Sequence, residues 1–189
     1  DQARQRLPTE SYSARMYDFV KRRYESKQPW EQTRDEIYQR YQVKQEDGYN
    51  ITSRNLECND CFAAGINFAA SLVSLFYGGG DLKETIKIGT LAGWDSDNPT
   101  ATWGGLLGFM IGKAGIEQAF KQKLSDKFNI HRTRQNFPVE DYDSFNNMAR
   151  TGIFIIDRLV QEEMGGGVDL QQNVWYIPDT TTDIEPAAD

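Results

Sequence analysis

The sequence is poor in the sulfur and imidazole ligands from which many metal and redox sites are built. It contains two cysteines, Cys58 and Cys61, and a single histidine, His131. A zinc site needs four ligands, and one C-x-x-C pair with a distant histidine does not supply them. A thiol-redox site would require a βαβ context, which this chain lacks. A local disulfide and a pair of semi-buried thiols at a helix start both fit the spacing.

Long apolar segments and an excess of positive charge are also absent. No run of about 18 consecutive apolar residues occurs, so we expect no transmembrane helix and no membrane partner. The chain has 21 basic and 28 acidic residues, for a net charge of −7. This balance argues against nucleic acid as a partner, whereas a local cation site is favoured. With 39% hydrophobic and 26% charged residues, the composition is that of a globular protein.

The first residues carry neither an initiating methionine nor the apolar core of a signal peptide. We therefore expect a processed chain, with a segment of the precursor ahead of Asp1. One glycosylation sequon, Asn50-Ile51-Thr52, fits a secreted protein, although such triplets also arise by chance. The sequence leaves the compartment open between secreted and cytoplasmic.

Apolar residues recur at spacings of three and four along most of the chain, which is the pattern of amphipathic helices. No alternating strand pattern interrupts it, so the sequence predicts an all-α fold with no internal domain boundary. A short segment, 174–178, is predicted to be extended and to lay its aromatic residues on the core. The predicted helices cover 11–26, 30–42, Phe62 to Phe76 with Asp60 as the cap, Leu82 to Gly93 with Asp81 as the cap, and about Tyr142 to Met164.

Two of the predicted helices have unusual surfaces. The helix after Asp60 is apolar nearly all round, so we expect it to need more cover than the helices of this chain provide. In the helix that begins near Thr100, glycines recur at Gly104, Gly108 and Gly112 and leave one face without side chains. We expect another helix to pack closely on that face.

The stretch 93–105 places two carboxylates between two apolar helical segments. Asp95 and Asp97 are followed by Asn98, and these are the oxygen ligands that Mg²⁺ and Ca²⁺ prefer. The same residues also form an ordinary helix-capping sequence, with Asp97 or Asn98 as N-cap and Pro99 at the first helical position. The apolar flanks favour a cation site, and they predict that it lies inside the protein.

This stretch resembles the second metal-binding motif of the ADP-ribosylglycohydrolase family. The resemblance implies an all-α, orthogonal multi-helix fold with a cleft that holds divalent cations, usually Mg²⁺, with Mn²⁺ or Ca²⁺ as alternatives. The residues that carry it are Asn67, Tyr77-Gly78, Gly80-Asp81, Ile86, Gly93, Asp95, Asp97, Ala101, Gly104 and Gly108.

The resemblance also implies a reaction and roles for individual residues. The implied activity is metal-dependent hydrolysis of an N- or O-glycosidic bond to ribose or a related sugar, with ADP-ribose-like or other sugar substrates. Asp95 and Asp97 match the aspartate ligands and are our candidates for catalysis. Asn98 stands where the family has a hydroxyl residue, so a carboxamide oxygen would replace that ligand. Trp94 and Thr100 are candidates for substrate binding, and core packing is the alternative for Trp94.

The family's first metal-binding motif contains adjacent aspartates, and this chain has no Asp-Asp pair. We therefore expect residues 1–189 to form a single all-α domain or only the C-terminal part of one. The N-terminal part of the fold would then be a partner on a second chain, and the hydrolase would be active only with it. The alternative is a non-catalytic module that retains the fold and binds a ligand or a protein.

Overall fold

The computed structural model describes residues 2–50, 61–130 and 142–178 of the 189-residue chain. Most of these residues are helical, which confirms the predicted all-α class. None of the described helices is both long and apolar enough to cross a membrane. The α-helices are α1 (Tyr12–Glu25), α2 (Trp30–Ile37), α3 (Ala64–Gly78), α4 (Leu82–Ala92), α5 (Asp97–Phe120) and α6 (Phe145–Glu162), with a 3₁₀ turn at Ala3–Arg6 and a π-helical turn at Tyr38–Val43.

The chain divides into two compact units, with the boundary after Gln122. The first unit contains α1 to α5. The second contains α6 and two antiparallel pairs of short strands, in which Phe128 pairs with Asp143 and Val168 with Trp175. These strands are β1 (Lys127–Asn129), β2 (Tyr142–Ser144), β3 (Gly167–Asp169) and β4 (Val174–Tyr176). The expectation of one domain stays a prediction.

Helix α3 is the central element of the first unit and packs against α1, α2, α4 and α5. Its Ile66 and Val73 side chains are fully buried, as are Val20 of α1 and Ile37 of α2. The expectation that the helices of this chain would not cover α3 is therefore wrong. Apolar residues on nearly every side of α3 are what allow four helices to assemble around it.

The helix starts agree in part with the predicted caps. Asp81 accepts a hydrogen bond from the Glu84 main-chain N–H at 2.8 Å, so the predicted cap of α4 is confirmed. Helix α3 follows Ala63, which makes no side-chain cap bond, and the predicted cap Asp60 lies outside the described residues. Helix α1 follows Ser11, whose Oγ accepts from the Ala14 N–H.

Helix α5 is broken by a kink at Gly112, where φ is 68° and ψ is 174°. A Cβ on Gly108 would lie 3.1 Å from Cδ1 of Ile116, beyond the kink in the same element, and one on Gly104 would make an ordinary contact with Ile86 of α4. Gly108 therefore packs closely on the helical segment that follows the kink, whereas the expected close packing of Gly104 and Gly112 on another helix is not found. Gly112 instead supplies a positive φ that side chains disfavour.

The predicted extended segment in the second unit exists as strand β4, but its aromatic residues are not on a core. Trp175 is 40% exposed and Tyr176 is 57% exposed. The Trp175 indole N–H donates to the carboxylate of Asp157 on α6 at 2.8 Å. The polar contact holds the hairpin to the helix without burying the ring.

Candidate metal centre

The loop between α4 and α5 carries both candidate aspartates. Helix α4 ends at Ala92. Its C-cap residue Gly93 has a φ of 95°, and the next residue, Trp94, also has a positive φ, of 57°. The chain re-enters a helix at Asp97, after Ser96 at the N-cap position. Pro99 is thus the third helical residue, and the predicted cap at Asp97 or Asn98 is wrong.

The structure brings Asp95, Asp97 and Asn98 together. The side chain of Asp97 raises the pKa of Asp95 above its usual range, and partial burial raises it further, whereas the Asn98 side chain opposes the shift. Asp95 is partly exposed, while Asp97 and Asn98 are exposed. The prediction that the carboxylates lie inside the protein is therefore wrong, since the loop is at the surface.

The backbone of Trp94 lies in the left-handed region, which is unfavourable for residues other than glycine. The left-handed region costs a residue other than glycine about 1–2 kcal/mol. The Trp94 ring packs against the hydrophobic core cluster and stacks on Tyr38, with ring centroids 6.3 Å apart and planes 27° from parallel. Core packing, the alternative named for Trp94, therefore describes its contacts, and its substrate role stays a prediction.

Thr100 fixes the first turn of α5. Its hydroxyl lies 2.9 Å from the carbonyl oxygen of Ser96 and 3.0 Å from that of Asp97 and can donate to either. On its other side the methyl group meets Gly89 of α4, where an added Cβ would lie 3.1 Å away. The Thr100 side chain thus positions the turn that carries Asp97, and its role in substrate binding stays a prediction.

Asn67 of α3 reaches the same loop, although the sequence marks it only as a position that matches the family pattern. Its Oδ1 accepts a hydrogen bond from the main-chain N–H of Asp95 at 3.1 Å. The side-chain N–H₂ group donates to the carbonyl oxygens of Cys61 and Ala63, at 2.6 and 3.0 Å. The signal in the sequence was a single amide within a helix that is otherwise apolar or small.

The donors near the loop do not by themselves make a full cation shell. Across residues 2–50, 61–130 and 142–178, no group of three or more His, Cys, Asp or Glu side chains is placed to hold a metal ion. Cys61 is disulfide-bonded, so its sulfur is not a free thiolate ligand. Cys58 and His131 lie outside the described residues.

A family model for ADP-ribosylglycohydrolase matches residues 1–162, from the start of the chain to the end of α6. The chain belongs to the ADP-ribosylglycohydrolase family. Its function is therefore of the glycohydrolase type at the family level, which also supports the prediction of a hydrolase. Neither the curated proteins nor the solved structures gave a match to this chain.

Proposed function

We propose that the Asp95 loop is part of a metal-dependent glycohydrolase site that cleaves an N- or O-glycosidic bond to ribose or a related sugar. The observation that carries the proposal is the placement of two carboxylates at the turn between α4 and α5. They are close enough that Asp97 raises the pKa of Asp95. Two neighbouring carboxylates repel each other, and a shared divalent cation removes that repulsion.

The donors on the loop suit a hard cation. Asp95 and Asp97 offer carboxylate oxygens, and Asn98 offers a carboxamide oxygen from the first turn of α5. We assign Mg²⁺ as the cation, with Mn²⁺ and Ca²⁺ as alternatives that accept the same ligands. When bound, such a cation orients a water molecule and polarises sugar hydroxyls for hydrolysis. Trp94 and Thr100 flank the loop and are the proposed substrate contacts.

The remaining ligands would come from a further part of the same fold, on a second chain. Three oxygen-bearing side chains fill about half of a six-ligand shell, and the sequence has no Asp-Asp pair to supply more. Large apolar side chains at the surface support such a partner. Phe109 and Met110 of α5 are 88% and 71% exposed, and Phe154 of α6 is 61% exposed. Apolar surface of this kind commonly marks a protein interface.

A second candidate function is a non-catalytic module that keeps the fold and binds a ligand or a protein. Asn98 favours it, because a carboxamide is a weaker ligand than the aspartates beside it. In the described part of the chain no three His, Cys, Asp or Glu side chains lie together as a metal site, and this favours it as well. Such a module would bind an ADP-ribose-like sugar without turning it over.

The proposed function is tested on native material, in which a second part of the fold would be retained. Hydrolysis of an ADP-ribosylated peptide is followed with Mg²⁺, with Mn²⁺ and with EDTA, and cation binding is measured by calorimetry. We expect turnover that requires the cation and is lost in Asp95→Ala and Asp97→Ala. Asp35→Ala is the matched control, because Asp35 is an exposed aspartate paired with Arg34 on α2.

Three outcomes would count against parts of the proposal. Equal hydrolysis with EDTA and with Mg²⁺ would exclude metal dependence. Sugar binding without turnover in any condition would favour the non-catalytic module. A fully active monomer of 21.6 kDa would exclude the second chain.

A further inference from the structure

The side-chain amide of Asn67 is buried and makes three hydrogen bonds with the main chain. It is 8% exposed, donates to the carbonyl oxygens of Cys61 and Ala63, and accepts from the Asp95 N–H. Both amide hydrogens and one oxygen lone pair are therefore used. One side chain on α3 thus links the segment before α3 to the loop that follows α4.

The hydrogen bond donated by the Asp95 N–H lies in the part of the loop that has the least favourable backbone conformation. The preceding residue, Trp94, has a positive φ, and Gly93 before it has one as well. The N–H of Asp95 belongs to the peptide unit between Trp94 and Asp95. An acceptor for that N–H fixes the plane of this peptide unit, and so limits the directions in which the Asp95 side chain can leave the backbone.

A second contact anchors α5 one helical turn further along α3. The indole N–H of Trp103 donates to the carbonyl oxygen of Ser71 at 2.8 Å, and the Ser71 hydroxyl donates to the carbonyl oxygen of Asn67 at 2.7 Å. The loop is therefore held at its start through Asn67, and the helix that follows it is held through Trp103. Both anchors lie on the most buried helix of the unit.

We infer that Asn67 is a positioning residue for Asp95, holding its carboxylate in the orientation that cation binding requires. This inference rests on the proposed function, in which Asp95 is a ligand. Asn67 itself bonds to main-chain groups only, so it acts through Asp95. Groups that orient a metal ligand commonly change metal affinity by about 10–100-fold when they are removed.

Few other residues could satisfy the same three main-chain groups. An aspartate would keep the acceptor for Asp95 but would turn a carboxylate oxygen towards two carbonyl oxygens. A serine side chain is too short to contact both the carbonyl oxygens before α3 and the N–H of Asp95. An apolar residue would leave a donor and two acceptors without their partner, which is costly for buried groups. Asn67→Ser therefore removes the acceptor for the Asp95 N–H, whereas Asn67→Asp preserves size and acceptor and removes only the two donors.

The experiment compares the full-length chain with Asn67→Asp and Asn67→Ser, and with Val73→Ala as the matched control. Val73 is fully buried on the same helix and has no hydrogen-bonding group in its side chain, so its truncation lowers stability without removing a hydrogen bond to the loop. Exchange of the Asp95 amide hydrogen is measured by NMR, and Mn²⁺ alone is titrated into each protein. Melting temperatures show that the compared proteins are folded. Asn67→Ala, which also lacks the acceptor, serves in place of the serine variant if the latter does not fold.

We expect the Asp95 amide to exchange about fivefold faster in Asn67→Ser, since the hydrogen bond that this variant loses is worth about 1 kcal/mol, whereas Asn67→Asp keeps the acceptor and should exchange at about the wild-type rate. We expect Mn²⁺ to bind Asn67→Ser about 10–100-fold more weakly. Val73→Ala should match the wild type in both measurements. Unchanged exchange in Asn67→Ser, or an equal increase in Val73→Ala, would overturn the role of Asn67. Absence of Mn²⁺ binding by the wild type would overturn the metal centre instead, while the exchange result would still decide the role of Asn67.

Discussion

Thr85 of α4 packs so closely on Gly78, the last residue of α3, that a Cβ on Gly78 would lie 2.7 Å from Cα of Thr85. Thr85 is 1% exposed, and Gly78 is also buried. The close contact determines the direction in which α4 runs away from the end of α3. It therefore helps to determine the position of the Asp95 loop, which follows the other end of α4.

We predict that Gly78→Ala destabilises the protein by about 1–3 kcal/mol, the usual cost of overpacking a dense core. Backbone atoms of Thr85 would have to move, since the added methyl group meets its Cα as well as its side chain. Chemical denaturation measures the change. Gly105→Ala is the control, because a Cβ at this exposed helical position meets no neighbouring atom within 4 Å. That control should stabilise the helix by roughly 0.5–1 kcal/mol.

A second prediction separates backbone strain from packing at Trp94. Both Trp94→Ala and Trp94→Gly lose the stacking on Tyr38 and the contact with the core cluster. Only glycine also relieves the positive φ of 57°. Trp94→Gly should therefore be more stable than Trp94→Ala by about 1 kcal/mol, although both should be less stable than the wild type. The reverse order in urea denaturation would show that the backbone is not strained there.

The sequence predicted those features of this fold that depend on nearby residues. The spacing of apolar residues that predicts a helix involves only one face of a single segment. Asp81 likewise caps a helix that begins at the next residue. Both features could therefore be predicted. The closeness of Asp95 and Asp97 also follows from two positions in one short run. The kink at Gly112 was missed because a glycine at helical spacing also fits an uninterrupted helix.

The Asn67 contact could not be predicted in the same way. It joins residues 28 positions apart, and it forms only because α4 folds back along α3. The surface position of the Asp95 loop was missed for a related reason. Apolar residues on both sides of the loop show that the two neighbouring helices are each buried on one face. They do not show whether the turn that connects these helices lies on the buried side or at the surface.

A third prediction concerns the pH dependence of stability at Asp47. Hydrogen bonding from Arg40 lowers the pKa of Asp47, and a hydrogen bond from the Tyr41 hydroxyl lowers it further, against the effect of burial. Because the folded pKa lies below the unfolded value of about 3.9, the stabilising effect is present above that value. It is lost as the pH falls through the folded pKa.

The variant that isolates this charge is Asp47→Asn, since asparagine has the same shape and tolerates the positive φ of 61° at this position. Wild type should be more stable than the variant above about pH 5, and the gap in the free energy of unfolding should narrow below about pH 4. Urea denaturation at pH values from above 5 to well below 4 measures this gap. The exposed pair of Arg158 and Glu162 is the contrast, because Glu162→Gln should have a much smaller effect.

The last prediction is that Asp95→Asn makes the metal-free protein more stable while it abolishes stabilisation by a cation. The pKa of Asp95 is raised, chiefly by the side chain of Asp97. The ionised carboxylate is thus disfavoured in the folded state at neutral pH. A raised folded pKa gives a stabilising contribution that is complete below the unfolded value and is lost as the pH rises through the folded value. Asparagine removes the repulsion, so in EDTA at pH 7 the variant should melt at the higher temperature, and the difference should close towards pH 4.

Mn²⁺ should reverse this order, because the cation binds the two carboxylates of the wild type and cancels their repulsion. At a free concentration about 100 times Kd, a ligand that binds only the folded state stabilises it by about 2.7 kcal/mol. For a chain of this size that corresponds to an increase in Tm of roughly 5–10 °C. Asp95→Asn should show little of this increase, and Asp35→Asn, which alters an exposed aspartate on α2, should show all of it. Equal shifts in the wild type and in Asp95→Asn would mean that Mn²⁺ stabilises the protein from a site that does not include Asp95.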